Sequence, residues 1–80
     1  MICKLFQEVV LLNDMPEKSL RKGDVATVVE HHPVKYGEDG YSLEVFNALG
    51  DTVAAITVAA SAIAPLSENE IFSVRSLQAA

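Results

Sequence analysis

Clusters of turn-forming residues divide this chain into short runs, and this punctuation constrains the fold more than any other feature. The clusters lie at 13–24, 32–40 and 47–51 and are rich in Pro, Gly, Asn and Asp. Around them lie four runs rich in β-branched residues: KLFQEVVLL (4–12), DVATVVEH (24–31), YSLEVFN (41–47) and DTVAAITV (51–58). Short runs of this kind, separated by turns at regular spacing, predict the strands of a β-barrel or β-sandwich.

The second half of the chain gives the connections. Asn47 and Gly50 in the short 47–51 link predict a tight hairpin between the third and fourth runs. The small residues at 59–63 suit a single helical or 3₁₀ turn, and 62–66 then forms a short last strand. Pro65 would lie at the edge or end of that strand because proline cannot donate to a ladder. The sequence therefore predicts an all-β fold, a small barrel of about five strands over residues 1–66.

Two of the four runs are apolar on both faces. The third run alternates cleanly, with Tyr41, Leu43 and Val45 on one face. In the first run, Leu5, Val9 and Leu11 share one face while Phe6, Val10 and Leu12 share the other; the fourth run is similarly two-faced. Strands that are apolar on both faces need cover on both faces, and a barrel interior covers only one. The second cover is either the C-terminal tail or another subunit.

The tail, residues 67–80, is predicted to form an arm that packs on the barrel or on a neighbouring subunit. Ser67 and Glu70 have the spacing of a capping box, which predicts a short helical turn. The segment IFSVRSL (71–77) fits an extended strand slightly better than a helix, because Phe72 leaves the apolar stripe of a helix. We expect this arm to pair with an exposed strand edge in the same chain or in a neighbour.

Composition indicates a single domain that oligomerises. A chain of 80 residues makes one domain, and folding buries only roughly 60% of the surface of a chain this small. Yet 50% of the residues are hydrophobic, so a homo-oligomer is expected. No run approaches the roughly 18–20 apolar residues of a membrane span, and no signal-peptide pattern begins the sequence. The single Cys3 fits a reducing compartment, so the expected location is cytoplasmic.

Charge disfavours a nucleic-acid partner. The net charge is −5, from 11 acidic and six basic residues, whereas binding to a phosphate backbone depends on Lys and Arg. A local basic patch nevertheless exists at 18–22, flanked by the acids Asp14, Glu17 and Asp24. In this loop we expect Pro16 to begin a turn, Leu20 to enter the core and Gly23 to permit a tight approach to the second strand.

No residues have the spacing of a known catalytic motif, and a chain this small leaves little room for a concave pocket. His31 and His32 would face opposite sides of a strand, so we expect a solvated strand end and no metal site. Cys3 is expected to be a small hydrophobe at the start of a strand. Glu38 and Asp39 lack the alternating spacing of a calcium loop and predict a turn. The sequence thus predicts a non-enzyme without cofactor or metal.

Two segments carry a resemblance to a known family. DMPEKSLRKGDVATVVE (14–30) and EIFSVRSL (70–77) resemble a bacterial, often cyanobacterial, family classed as domain of unknown function 4926, and the similarity spans about residues 4–77. The resemblance implies an SH3-like barrel with no established activity and no catalytic residues. It also implies an antitoxin or immunity role, because genes of this kind often neighbour toxin-like genes. Separately, KGDVATVV (22–29) resembles the KOW motif of ribosomal proteins and transcription factors.

These observations predict a protein-interaction module that self-associates and binds a protein partner encoded nearby. The alternative is a KOW-like barrel that binds nucleic acid through the 18–22 loop. The residues expected to contact a partner are Arg21, Lys22, Tyr36, Tyr41, Ile71, Phe72 and Val74.

Overall fold

The computed structural model describes residues 3–77 and confirms the all-β prediction. Five strands form one sheet: β1 (Glu8–Leu11), β2 (Val25–His32), β3 (Gly40–Phe46), β4 (Thr52–Ala59) and β5 (Ile63–Pro65). Neighbouring strands are antiparallel in the order β4-β3-β2-β1-β5. The helical elements within 3–77 are two 3₁₀ turns, Pro16–Lys18 and Ala60–Ala62. Neither is long enough to cross a membrane, and no other helix is present in this range.

The core lies on the inward face of the sheet and follows the predicted alternation. Tyr41, Leu43 and Val45 of β3 are all buried, while the residues between them are less so. The other strands add their own buried residues, which are Val9, Leu11, Ala26, Val28, Ile56 and Ile63. Burial of a large apolar side chain stabilises a fold by about 1.5–3 kcal/mol. This inward face is therefore the main source of stability of the domain.

The first strand is shorter than predicted. It begins at Glu8, because residues 4–7 form a turn in which Phe6 has a φ of 65°. The Gln7 side-chain oxygen accepts the Lys4 N–H at 2.9 Å and closes this turn. As a result Leu5 lies outside the strand and is 56% exposed, so the prediction that it shares a strand face with Val9 and Leu11 is wrong.

The 12–24 loop folds as predicted. Pro16 occupies the first turn of the 3₁₀ element, and Leu20 is 2% exposed within the core. Gly23 has a φ of 96°, a conformation that favours glycine, and its N–H donates to the Leu11 carbonyl at 2.8 Å. This bond ties the end of the loop to β1 where β2 begins.

The predicted hairpin at 47–51 and the predicted final strand are both present. The Asn47 side-chain oxygen accepts the backbone N–H groups of Leu49 and Asp51 at 2.9 and 3.0 Å, and Gly50 has a φ of 91°. The 3₁₀ turn Ala60–Ala62 then leads into β5, whose last paired residue is Pro65, opposite Val9. Proline thus lies at the end of an edge strand, as expected.

The arm departs from the sheet after β5. A turn forms at Ser67–Glu70, where the Glu70 carboxylate accepts the Ser67 N–H at 2.5 Å and the Glu70 N–H donates to the Ser67 carbonyl at 3.1 Å. No helix continues from it, and residues 71–77 form neither helix nor strand. The favoured strand interpretation of this segment, and its pairing with a strand edge of the same chain, are therefore wrong. Residues 78–80 of the predicted arm lie outside the described residues.

Candidate protein-interaction surface

An open groove of about 970 Å³ lies between the arm and the outer side of the sheet. Its sheet side includes Val10, Val25, Phe46 and Val53, and its arm side includes Ile71 and Phe72. The expectation that so small a chain has no sizeable concave surface is wrong. The groove exists because the arm runs beside the sheet without packing its apolar side chains against it. We call these residues of sheet and arm the arm groove.

The apolar side chains of the arm are exposed. Ile71 is 91%, Phe72 66% and Val74 99% accessible to solvent. Leu77 at the end of the described segment is half exposed. Exposed apolar side chains that are scattered singly are ordinary, but a contiguous group of them marks an interaction site. The arm therefore offers a partner apolar surface that the fold itself does not use.

One charged pair fastens the arm to the barrel. The Arg75 guanidinium donates to both carboxylate oxygens of Asp24, from Nε at 2.9 Å and from Nη2 at 2.5 Å. Nη2 also donates to the Ser19 carbonyl at 3.0 Å. A two-pronged arginine–carboxylate contact of this kind is among the stronger hydrogen-bonded pairs. It fixes one point of the arm on the 18–24 loop, 51 positions away in sequence.

The electrostatics of Asp24 reflect this pair. Its pKa lies below the usual aspartate value, chiefly because Arg75 donates hydrogen bonds to the carboxylate; the backbone N–H of Arg21 and the charges of both arginines act in the same direction. The pair in turn raises the pKa of Arg75. The contact is therefore charged on both sides at neutral pH.

The predicted contacts Arg21 and Lys22 lie on the loop that Arg75 reaches. Their side chains are exposed, but their backbone N–H groups are used: Arg21 donates to Asp24 and Lys22 donates to Asp14, both at 2.8 Å. The acids that flank the basic patch in sequence are therefore the groups that shape it. They also place negative charge beside the two basic side chains.

The two tyrosines predicted to contact a partner differ in exposure. Tyr36 lies in the loop between β2 and β3 and is 86% exposed, with the Lys35 ammonium 5.8 Å from its ring centre. Tyr41 is fully buried in the core, and its hydroxyl accepts the backbone N–H of Cys3 at 3.0 Å. Tyr41 therefore cannot contact a partner in this fold, and that prediction is wrong. Its ring belongs to the inward face that the alternation of β3 indicates.

His31 belongs to a network that the sequence pattern did not reveal. Its ring stacks on Tyr41, with the centres 4.8 Å apart, and its Nε2 lies 2.7 Å from the Asp39 carboxylate. Asp39 also accepts the Val34 N–H at 3.1 Å, and its pKa is lowered, chiefly by the hydrogen bond with His31. The turn predicted from Glu38 and Asp39 thus contacts the sheet, because Asp39 of the β2–β3 loop binds His31 of β2.

His32 lies on the opposite face, as predicted for adjacent strand residues. Its Nε2 is 2.7 Å from the Ser42 hydroxyl, which is 3.1 Å from the Thr57 hydroxyl. The Glu30 carboxylate lies 3.8 Å from the same Nε2. In a catalytic Ser-His-Asp triad the serine and the acid bind different nitrogens of the histidine ring, so Ser42, His32 and Glu30 do not have the arrangement of such a triad. This row of polar groups links three strands across the sheet, and neither histidine is merely a solvated strand end.

The remaining candidate residues take structural positions. Cys3 is buried, as expected of a small hydrophobe, although it precedes β1 and does not begin a strand. Burial raises the pKa of its thiol, which makes the reactive thiolate scarcer. Within residues 3–77, no three His, Cys, Asp or Glu side chains are grouped so that they could hold a metal ion.

Comparison with known families finds a match to the strand-forming part of the chain. Residues 5–65 match a family described as Domain of unknown function (DUF4926). The match begins just before β1 and ends with the last strand, so the arm lies outside it, although the predicted resemblance extended to residue 77. No curated protein and no solved structure matches the chain.

Proposed function

We propose that this chain, which belongs to the family described as Domain of unknown function (DUF4926), is a protein-interaction module that self-associates and binds a partner protein. The partner docks in the arm groove. The observation that carries this proposal is the exposure of Ile71, Phe72 and Val74 directly beside an open apolar groove. The antitoxin or immunity role implied by the family resemblance is one instance of such binding.

Charge defines the partner. Glu68 and Glu70 lie at the groove, whereas Asp24 is already neutralised by Arg75. The whole chain carries −5, so a second copy entering the groove would bring like charges together. Complementary charge speeds association and excludes wrong partners. The groove therefore suits an extended segment of a different protein, with apolar side chains flanked by Lys or Arg.

The attachment of the arm at two points lowers the conformational entropy that is lost when a partner binds. A fully free tail would lose the freedom of every residue that a partner orders. Here the arm is already fixed at its start by β5 and near its end by Arg75. Only the segment between these two points has to adjust when a partner covers its apolar side chains.

Selection of peptides from a random display library against the purified chain tests the proposal. We expect the selected peptides to combine apolar residues with Lys or Arg. A variant with Ile71→Ser, Phe72→Ser and Val74→Ser should bind them at least about tenfold more weakly, since burying even one such side chain contributes ~1.5–3 kcal/mol and tenfold corresponds to about 1.4 kcal/mol.

The matched control is Leu5→Ser, which removes an exposed apolar side chain that does not line the groove. It should bind the selected peptides like the unaltered chain. Peptides that bind the triple-serine variant with unchanged affinity, or that contain no basic residues, would contradict the proposal.

The exposed side chains of Arg21 and Lys22 support the alternative, a KOW-like nucleic-acid-binding barrel. Against it stand Asp14 and Asp24, which hydrogen-bond the same loop. The alternative requires RNA or DNA binding that falls steeply as salt rises and weakens in an Arg21→Glu, Lys22→Glu variant. Fluorescence anisotropy with labelled oligonucleotides at low salt distinguishes the two, because an interaction module of this charge should show no such binding.

A further inference from the structure

The two ends of the sheet are protected very differently. At one end, β5 has three residues, terminates in Pro65 and leads directly into the arm. At the other end, β4 has eight residues and pairs with β3 on one side only. No other strand among residues 3–77 lies against its second side. The backbone donors and acceptors along that side are therefore open to another strand.

The sequence of β4 lacks most of the usual devices that block edge pairing. TVAAITVA contains no charged residue and no proline, and natural edges normally carry lysine, proline, a bulge or a cover. The one irregularity is a register shift at Val53, next to the hairpin. Beyond it Ala54–Ala59 pairs regularly with β3. A long, regular and uncharged edge is a template for strand addition.

We propose that the open edge of β4 pairs antiparallel with β4 of a second copy of this chain, so that two sheets join into one. This inference rests on the self-association part of the proposed function and names the surface responsible for it. The β4 edge and the arm groove share only Val53 among the described residues, so the groove residues of the other strands and of the arm remain available to the partner protein.

Charge favours a second copy as the occupant of this edge. The chain carries −5, so two copies repel each other overall, but the whole β4 segment is uncharged. In an antiparallel pair, Asp51 at the start of one strand lies beside the end of the other, where Ala59–Ala62 has no charged side chain of its own but the Glu38 carboxylate accepts the Ser61 N–H and hydroxyl at 2.8 and 3.0 Å. Two copies can therefore meet along the uncharged length of β4, and the acids Asp51 and Glu38 approach each other only at its two ends.

The two faces of the strand restrict the register. Ile56 points inward, whereas Ala55 and Thr57 point outward and are exposed. Residues directly opposite in a strand pair lie on the same face. A two-fold axis through Ile56 satisfies this condition and sets Ala55 of one copy opposite Thr57 of the other. The small side chains on this face allow the close approach that strand pairing needs.

Light scattering coupled to size-exclusion chromatography tests the inference with an Ala55→Lys, Thr57→Lys variant. The unaltered chain should have the mass of two copies, and the variant the mass of one, because the proposed register sets lysine opposite lysine. The control Leu5→Lys, Val34→Lys changes the net charge equally at two exposed positions away from β4 and should remain dimeric. A dimer that persists in the β4 variant would overturn the inference, as would a monomeric unaltered chain.

Amide hydrogen exchange on the unaltered chain provides a test that needs no substitution. Along Ala54–Ala59, amides that face β3 alternate with amides that face the open edge. In the proposed dimer both sets should be protected, and dilution should release only the second set. Fast exchange of the second set at all concentrations would overturn the inference.

The outcome is separable from the arm-groove proposal. The β4 lysine variant should still bind the selected peptides, and the triple-serine arm variant should still dimerise. Loss of both properties in the lysine variant, with its near-ultraviolet and amide spectra unchanged, would show that one surface serves both functions and would overturn this assignment of two.

Discussion

The barrel and the arm treat their apolar side chains in opposite ways. In the barrel, Val9, Val28 and Tyr41 have no accessible surface, and every strand contributes to one core. In the arm, Val74 is almost fully accessible and Arg75 supplies the only side-chain bonds from residues 71–77 to the barrel among the described residues. The barrel uses its apolar surface for folding, whereas the arm keeps its apolar surface free for another molecule.

This difference separates stability from binding along one short chain. Substitutions in the barrel should lower the free energy of unfolding, and substitutions in the arm should change binding while the fold persists. Arg75 lies between the two cases because it belongs to the arm but contacts the barrel. The predictions below test this division from the largest expected effect to the smallest.

The largest effect is expected for Leu43→Ala. Leu43 is 1% exposed at the centre of β3, and truncation of a buried leucine lowers the free energy of unfolding by about 2–5 kcal/mol. Denaturation in urea, followed by circular dichroism, measures the change. Val74→Ala is the matched arm substitution and should change it by less than about 0.5 kcal/mol. Equal effects at the two positions would show that the arm is part of the core.

Tyr41→Phe should have an intermediate effect. It removes the hydroxyl that accepts the Cys3 N–H at 3.0 Å, and an unsatisfied buried polar group costs about 1–3 kcal/mol. The amide of Cys3 should also exchange faster with solvent, which hydrogen-exchange NMR detects. A variant as stable as the unaltered chain, with a protected Cys3 amide, would show that the segment before β1 is held by other contacts.

Arg75→Gln should change the barrel less than either core substitution but should free the arm. The glutamine cannot make the two-pronged contact with Asp24, so limited proteolysis between residues 67 and 77 should become faster. Arg21→Gln is the control, because its side chain is exposed on the same loop and only its backbone N–H binds Asp24. Unchanged proteolysis in Arg75→Gln would mean that the arm is held in another way.

Acidification should release the arm, as Arg75→Gln should. The pKa of Asp24 is lowered in the fold, so the folded chain prefers the charged carboxylate. Its contribution is present above the ordinary aspartate pKa and is lost as the pH falls through the lowered value. Arg75 stays charged throughout. NMR titration should therefore show the amides of 71–77 shifting together with the Asp24 carboxyl, and Arg75→Gln should abolish that coupling.

The local pattern of the sequence was sufficient for the strands. Alternation at Tyr41, Leu43 and Val45 predicts the inward face of β3, and Asn47 with Gly50 predicts the hairpin. These features depend on residues close together in the chain. The start of β1 was missed because the turn at Phe6 uses an uncommon backbone conformation in a run that looks continuous.

The contacts that define the surfaces join distant positions. Nothing near Arg75 indicates that it reaches Asp24, and nothing near His31 indicates that it stacks on Tyr41. The arm groove likewise depends on where the arm runs after β5. Ile71, Phe72 and Val74 could be proposed as contacts from composition, but the groove beside them appears only in three dimensions.

Mapping a selected peptide onto the ¹⁵N-labelled chain by amide chemical shifts tests the central claim most directly. We expect the largest shifts at Phe46 and Val53 of the sheet and at residues 71–74 of the arm, with little change in the loop that contains Arg21 and Lys22. Shifts confined to that loop, or to the loop that contains Tyr36, would contradict the arm groove as the docking surface.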